Sequence, residues 1–243
     1  MIVFITSSPY IDGAPRAILN PENEFIDRLR AVLPPNPRAL FICSDPDDHD
    51  MACHFAAETT GAFCEAGIAF RAYNVLDGRS FRQAKRLVDR SSIIILSGGH
   101  VPTQNAFFQA IHLREILQNY HGVVIGISAG SMNLADVVYV QPEEEGESDP
   151  AFERFAPGLG LTDINILPHY QKVKDNILDG LRLYEDITFA DSMDNVFFAL
   201  PDGSYIYQDD DGQLLCGEAY LVHDGILQQL TEADEVLDLD ELN

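Results

Sequence analysis

Short apolar runs rich in β-branched residues alternate with segments of helical spacing along the first half of this 243-residue chain. Runs of this length are typical of strands that are buried on both faces of a sheet. Because parallel strands are joined by crossovers that are usually helical, the alternation predicts an α/β fold: a mostly parallel sheet with helices on both faces. The predicted strands are residues 2–6, 39–43, 68–73, 93–96 and 123–127, and the predicted helices lie within residues 25–32, 55–63, 81–88 and 107–117.

The pattern changes in the C-terminal part. Short apolar runs there are separated by turns of Pro, Asp and Gly, which predicts antiparallel hairpins added to the parallel sheet. These strands are predicted at residues 196–200, 204–207, 214–216 and 219–222. No linker-like composition interrupts the chain, so we expect residues 1–243 to form a single domain. The longest predicted loop, residues 141–158, is acidic and contains proline, and loops of this length are often functional.

Charge narrows the classes of function. The chain has 39 acidic and 15 basic side chains, for a formal net charge of −24, and such a field repels a phosphate backbone. No apolar run is long enough to cross a membrane, and no basic leader precedes the first apolar run. We therefore expect a cytoplasmic protein that binds neither nucleic acid nor membrane. The four cysteines form no C-x-x-C pair, so neither a metal site nor a cofactor is expected.

Ser128 lies in a short turn between an apolar strand and a predicted helix. The run Gly126-Ile127-Ser128-Ala129-Gly130 places a glycine two positions before and two positions after this serine. Small residues there let the backbone turn sharply and present the hydroxyl at the carboxyl end of the strand. A helix that begins at Ala129 would direct backbone N–H groups at a developing oxyanion. The run predicts a nucleophile, and the alternative is a serine that caps a tight strand–helix turn.

A second glycine turn, Gly98-Gly99, follows the strand at residues 93–96. The carboxyl ends of neighbouring parallel strands meet at one edge of a sheet, where sites form. We therefore expect the backbone N–H of Gly98 or Gly99 to join that of Ala129 in an oxyanion hole. The alternative is a plain turn that needs glycine for its positive φ.

A serine needs a general base before it acts as a nucleophile, and His169 is the best placed of the seven histidines. It follows a short apolar strand that stops at Pro168, so we expect it at the same sheet edge as Ser128. His100, directly after the glycine turn, is the second candidate. The alternative for His169 is a buried or capping histidine.

These motifs together resemble the dipeptidase E and cyanophycinase group of serine peptidases, which share the class I glutamine amidotransferase-like, flavodoxin-like fold. The resemblance spans residues 93–203, and its four parts occur in the same order as in that group. They are the Gly98-Gly99 turn, the Gly126-to-Gly130 run, Gly158-Leu159-Gly160-Leu161 leading to Pro168-His169-Tyr170, and Leu200-Pro201-Asp202-Gly203.

The resemblance implies a Ser-His-acid triad with Ser128 as nucleophile and His169 as base. The acid that orients His169 falls on Asp202, where peptidase E has a glutamate, so its reach is one methylene shorter. Glu143 is the alternative orienter, because either carboxylate can hold the tautomer of the base if the geometry allows. Asp163 and Asp194 are weaker candidates.

The resemblance also implies a short peptide as substrate, with an N-terminal aspartyl or β-aspartyl residue. We expect a monomer or homodimer. An aspartyl side chain needs a cationic partner, but the arginine-rich segment expected after His169 is missing. The candidate substrate contacts are His100, Gln104, Arg114, Tyr170 and Lys172, with Lys174 and Arg182 as further cations after His169.

Three other functions stay open to different degrees. A glutamine amidotransferase needs a cysteine at the position of Ser128, so this function is disfavoured. A non-catalytic binding or regulatory domain is disfavoured by the presence of both Ser128 and His169. A cyanophycinase-like hydrolase would act on a β-linked Asp-Arg polymer, whose arginines the acidic surface would attract.

Overall fold

The computed structural model describes residues 1–242, which contain sixteen strands and eight α-helices. The strands are β1 (Ile2–Thr6), β2 (Arg38–Ile42), β3 (Ala72–Leu76), β4 (Ile93–Leu96), β5 (Val123–Ile127), β6 (Val137–Tyr139), β7 (Phe155–Pro157), β8 (Ile166–Leu167), β9 (Ile177–Leu178), β10 (Leu181–Arg182), β11 (Phe197–Ala199), β12 (Tyr205–Gln208), β13 (Gln213–Cys216), β14 (Ala219–His223), β15 (Ile226–Thr231) and β16 (Val236–Asp238). The helices are α1 (Phe25–Val32), α2 (His49–Glu65), α3 (Ala84–Val88), α4 (Val101–Ala110), α5 (Leu113–Leu117), α6 (Ala129–Met132), α7 (Tyr170–Val173) and α8 (Phe189–Asp191).

Eight strands form a central sheet in the order β16-β13-β12-β1-β5-β4-β2-β3. The five strands from β1 to β3 in this order are parallel, and β12, β13 and β16 continue the sheet antiparallel beyond β1. Every residue of β4 and β5 is buried. Since successive side chains of a strand point to opposite faces, both faces of the sheet are covered at its centre. The predicted α/β class with a mostly parallel sheet is confirmed.

The C-terminal strands are antiparallel, as predicted, but they divide between two sheets. β12, β13 and β16 extend the central sheet along the free edge of β1. β11, β14 and β15 form a separate four-stranded sheet with β8, in the order β15-β14-β11-β8. The short strand before His169 therefore belongs to this second sheet, where β8 runs parallel to β11.

The strand predicted at residues 68–73 is present but its bounds are wrong, because β3 begins only at Ala72 and continues to Leu76. Ile68 instead follows the end of α2, where Gly67 has a φ of +76°. The backbone N–H of Ile68 donates to the carbonyl of Phe63, and the Ile68 side chain is buried. A left-handed glycine followed by a buried apolar residue is a common end of a helix, and this apolar residue had shifted the predicted strand.

No helix within residues 1–242 is both long enough and apolar enough to cross a membrane.

Candidate active site

Ser128 lies at the end of β5, which is hydrogen-bonded between β1 and β4 in the central sheet. Its backbone has φ 51° and ψ −114°, outside the regions that a non-glycine residue normally adopts. Two groups of contacts hold this conformation. The Ser128 N–H donates to the carbonyls of Thr6 and Ser7, at 3.1 and 3.0 Å, and the Ser128 carbonyl accepts the N–H groups of Ser131 and Met132. The strain is therefore concentrated at the residue that presents the hydroxyl.

Gly126 and Gly130, two positions before and after Ser128, must be glycines because neighbouring backbone lies very close to both of them. A Cβ on Gly126 would lie 2.6 Å from the Cα of Ser131, and a Cβ on Gly130 would lie 2.4 Å from the carbonyl oxygen of Leu96. Both distances are far below van der Waals contact, so a side chain would push α6 away from β4 and β5. The helix begins at Ala129, as predicted, but it is only four residues long.

His169 contacts Ser128 through one ring nitrogen and Asp202 through the other. Its Nε2 lies 2.9 Å from the Oγ of Ser128, and its Nδ1 lies 2.6 Å from Oδ1 of Asp202. The three side chains come from β5, from the residue after Pro168 and from the turn after β11. His169 has a left-handed backbone, with φ 58° and ψ 29°, which turns the chain from β8 into α7. The hydrogen bond to Asp202 shows that an aspartate at this turn reaches the imidazole.

The carboxylate of Asp202 is enclosed by donors. Its Oδ1 accepts the hydroxyl of Ser7 at 2.9 Å in addition to His169, and the Lys172 ammonium lies 2.7 Å from its Oδ2. The side chain is only 3% exposed. Burial alone would raise the pKa of Asp202, but the hydrogen bonds and charges of His169, Lys172 and Ser7 outweigh burial and hold that pKa well below its ordinary value. Asp202 is therefore ionised under ordinary conditions.

Ser7 is part of this arrangement, and the sequence reasoning did not identify it. Its hydroxyl accepts the backbone N–H of His169 at 2.7 Å while donating to Asp202, and its carbonyl accepts the N–H of Ser128. One buried serine thus contacts all three members of the hydrogen-bonded set. A signal was present, because Ser7 directly follows β1 at the same sheet edge as the glycine turn and Ser128.

The Gly98-Gly99 turn lies beside Ser128, as the parallel order of β4 and β5 predicts. A Cβ on Gly98 would lie 3.4 Å from the Cβ of Ser128. Gly99 has a φ of +149°, and a Cβ there would lie 2.3 Å from the hydroxyl of Ser44, so only glycine fits. Within residues 1–242, the backbone N–H groups of Gly98, Gly99 and Ala129 donate to no protein acceptor.

Two cavities open at Ser128 and His169. The first, which we call the Glu143 cavity, has a volume of about 170 Å³. Its wall consists of Gly99, Val101, Ser128, Met132, Gln141, Pro142, Glu143, Pro168, His169, Val173, Asn176, Ile177, Leu178 and Leu183. The second has a volume of about 230 Å³ and shares Gly99, Ser128 and His169, but its other walls include Tyr10, Phe41 and Phe55. Ser128 is thus accessible from spaces large enough for small side chains.

Glu143 lines the first cavity but makes no hydrogen bond to His169 in the described part of the chain. Burial raises the pKa of this carboxyl. The two other candidate orienters, Asp163 and Asp194, also lack a hydrogen bond to His169 within residues 1–242. Asp163 instead accepts a hydrogen bond from Gln213.

The residues expected to contact substrate lie in different environments. Gln104 is fully buried, where its amide donates to the Ser97 carbonyl and accepts from Asn133, so it supports the chain behind the glycine turn. Arg114 pairs with Asp136 and donates to the Gly158 carbonyl. Neither residue lines either cavity. The structure therefore does not bring these two candidates to Ser128.

The remaining three candidates also lie outside the walls of both cavities. Tyr170 packs against Tyr184 and Tyr220. Lys172 pairs with Asp12 and Asp202. His100 hydrogen-bonds to Thr103 through Nδ1 and to Glu147 through Nε2. All three side chains are engaged by the protein itself.

His100, Glu144 and Glu147 offer ligand atoms within 4.8 Å of one another. The carboxylate of Glu147 already accepts the backbone N–H groups of Glu143 and Glu144 and contacts the imidazole of His100. Burial would raise the pKa of Glu147, but these contacts outweigh it and lower that pKa. The cluster is thus accounted for by hydrogen bonds that shape the loop after β6.

One known protein family matches most of the chain. Residues 16–215 match the sequence model of peptidase family S51. The chain belongs to family S51. The resemblance to the dipeptidase E group is thereby confirmed, and membership of S51 indicates a peptidase.

A solved structure has the fold of this S51 chain. It is the crystal structure of a candidate peptidase E of Listeria monocytogenes EGD-e, with a TM-score of 0.60 and 13% sequence identity. The match covers 95% of this chain and 98% of the Listeria chain. At this identity the match shows the fold. A comparison with curated protein sequences finds no match.

Proposed function

We propose that this S51 member is a serine peptidase that hydrolyses short peptides through a Ser128–His169–Asp202 triad. The observation that carries the proposal is the continuous hydrogen-bonded path from the Ser128 hydroxyl through both ring nitrogens of His169 to Asp202. Family membership supports the reaction class, and the strained backbone at Ser128 supports its role at a nucleophile elbow.

In the proposed mechanism, His169 Nε2 accepts the hydroxyl proton as Ser128 Oγ attacks the scissile carbonyl carbon. The carbonyl oxygen becomes an oxyanion, which the free backbone N–H groups of Ala129 and of Gly98 or Gly99 stabilise. His169 then gives the proton to the leaving amine, and the C–N bond breaks to leave an acyl-enzyme. A water molecule, deprotonated by His169, then attacks the acyl carbon. The ester bond to Ser128 Oγ breaks, His169 returns the proton to Oγ, and the carboxylic acid product leaves.

Asp202 has two tasks in this mechanism. It accepts the Nδ1–H of His169 and so presents the basic Nε2 to Ser128. Its negative charge also stabilises the imidazolium that forms during each proton transfer. The lowered pKa of Asp202 keeps the carboxylate ionised at neutral pH.

The test is active-site labelling combined with hydrolysis. A fluorophosphonate probe is expected to label the wild-type protein at Ser128, and Ser128→Ala abolishes both labelling and hydrolysis of a panel of unblocked dipeptides. Ser8→Ala is a matched control, because the Ser8 hydroxyl makes, within the described residues, one long contact of 3.4 Å with the Tyr10 N–H. Absence of labelling and of hydrolysis in a folded wild-type protein would rule out the proposal and favour a non-catalytic role.

A further inference from the structure

We infer that the Glu143 cavity selects substrates by a positive charge, which the carboxylate of Glu143 binds, and not by an acidic side chain. The inference rests on the proposed peptidase function and names its substrate class. That class is a short peptide with a cationic group near the scissile bond and an apolar stretch next to that group.

The charges that line the cavity are the first argument. Within residues 1–242, its only ionisable side chains are Glu143 and His169, and no lysine or arginine lines it. An aspartyl side chain placed there would meet a carboxylate and no cation, and like charges at short range repel. The cavity thus lacks the partner that an N-terminal aspartyl residue requires.

Two of the three cations after His169 are held in ion pairs, and the third, Lys174, lies over the ring of Tyr170, 5.9 Å from its centroid, and does not line the cavity. Lys172 is held between Asp12 and Asp202, at 2.6 and 2.7 Å. Arg182 forms a hydrogen-bonded ion pair with Asp186. Recruiting either cation to a substrate carboxylate would break an existing ion pair.

Glu143 itself is the second argument. Within the described residues its carboxylate forms no ion pair, and burial raises its pKa. Glu147 and Glu144 add negative charge around it, while the His100 ring that favours its ionised form bonds to Glu147. Glu143 is nevertheless exposed to solvent, so its attraction for a cation comes from an unpaired carboxylate beside other carboxylates and not from full burial.

The apolar wall is the third argument. Eight of the fourteen lining residues are apolar: Val101, Met132, Pro142, Pro168, Val173, Ile177, Leu178 and Leu183. Such a wall suits the aliphatic side chain of an N-terminal residue whose α-ammonium faces Glu143. It also suits the aliphatic stem of a lysine whose side-chain ammonium faces Glu143. Both sources present the same chemistry, a cation at the end of an apolar group.

Four p-nitroanilide substrates separate these sources. Leucine p-nitroanilide carries an α-ammonium, N-acetyl-lysine p-nitroanilide carries only a side-chain ammonium, N-acetyl-leucine p-nitroanilide carries no charge, and aspartic acid p-nitroanilide adds an acidic side chain. We expect at least one of the first two to exceed N-acetyl-leucine p-nitroanilide in kcat/KM by about tenfold or more. Whichever exceeds it identifies the source of the cation. The aspartic acid substrate is expected to be at least tenfold poorer than the leucine substrate.

Two variants with the same loss of charge assign the selectivity. In Glu143→Gln, we expect the kcat/KM of the preferred cationic substrate to fall to within about twofold of the kcat/KM of the uncharged substrate. Glu145→Gln removes a charge from an exposed side chain that does not line the cavity, and it is expected to retain the wild-type ratio. An unchanged ratio in Glu143→Gln would overturn the inference, as would a wild-type preference for the aspartic acid substrate.

Fluorophosphonate labelling distinguishes the two levels of failure. If Ser128 is labelled but neither cationic substrate is preferred, the inference is wrong and the proposed peptidase stands. If Ser128 is neither labelled nor required for hydrolysis of any of the four substrates, the proposed function fails and the inference fails with it.

Discussion

The ammonium of Lys172 lies 2.7 Å from Oδ2 of Asp202. The other oxygen of the same carboxylate faces Nδ1 of His169, so one buried carboxylate serves an imidazole and an ammonium together. The cation of Lys172 partly offsets the negative charge that His169 experiences. Without this cation, the carboxylate of Asp202 is expected to stabilise the protonated imidazole of His169 more strongly.

Lys172→Met is therefore expected to move the acidic limb of the kcat/KM profile to higher pH. A shift of about half a pH unit fits an ion pair whose lysine is about half exposed. The profile should be measured with an uncharged substrate between about pH 5 and pH 9, a range that includes the ordinary pKa of a histidine side chain. Lys172→Arg keeps the charge and should retain the wild-type limb. A limb that moves to lower pH, or equally in both variants, would contradict this account.

The lowered pKa of Asp202 links stability to pH. The unfolded chain titrates this carboxyl near its ordinary value of about 3.9, above its pKa in the fold. The stabilisation is therefore complete above about pH 4 and is lost as the pH falls toward the folded pKa. Asp202→Asn lacks this contribution, so the difference in unfolding free energy between wild type and variant should shrink from pH 6 to pH 3. Urea unfolding at three pH values measures it, and a difference that is independent of pH would refute the assignment.

Ser7→Ala is expected to lower kcat more than KM. The variant removes the donor to Asp202 and leaves the His169 N–H without its acceptor, which costs about 1–3 kcal/mol of stability for a buried group. A looser His169 also places its ring less accurately for proton transfer. Steady-state kinetics and urea unfolding of Ser7→Ala and Ser8→Ala provide the comparison, since within the described residues the Ser8 hydroxyl contacts only the Tyr10 N–H, at 3.4 Å. Equal kinetic losses in the two variants would argue against a positioning role for Ser7.

Two glycine-to-alanine changes should have opposite signs. Gly130→Ala places a methyl group 2.4 Å from the Leu96 carbonyl, and overpacking of this kind costs about 1–3 kcal/mol. Gly61 lies within α2 with nothing within 4 Å of an added Cβ, so Gly61→Ala should stabilise the protein by about 0.5–1 kcal/mol. Thermal unfolding measures both, and loss of activity should accompany only Gly130→Ala. A neutral Gly130→Ala would show that α6 does not need close contact with β4.

The central strands β4 and β5 were predictable from the sequence, because nearly all of their residues are apolar and such runs are typical of strands buried on both faces. The boundary at β3 was not, since Ile68 has the same apolar character whether it enters a strand or closes a helix. Only the left-handed Gly67 before it distinguishes the two. Local composition thus predicts burial better than it predicts which element is buried.

The site was predictable where it depends on neighbouring strand ends. Ser128 and the Gly98-Gly99 turn meet because β4 and β5 are parallel neighbours. His169 lies within hydrogen-bond distance of Ser128, but it follows a strand of the second sheet, since β8 pairs with β11 and not with the central strands. Gln104 and Arg114 were misplaced as substrate contacts because spacing along α4 and α5 does not reveal which neighbour a polar side chain meets.

The sequence by itself determined the alternation of strands and helices and the sharp turn at Ser128, because both depend on residues a few positions apart. Only the tertiary structure decided that Asp202 and not Glu143 faces His169, that Ser7 joins them, and that Glu143 is the carboxylate of a cavity without a lysine or arginine in its wall. Ser7 and Asp202 are 195 residues apart. A hydrogen bond shorter than 3 Å between such distant segments is set by how the two sheets pack, and no local pattern in the chain encodes that distance.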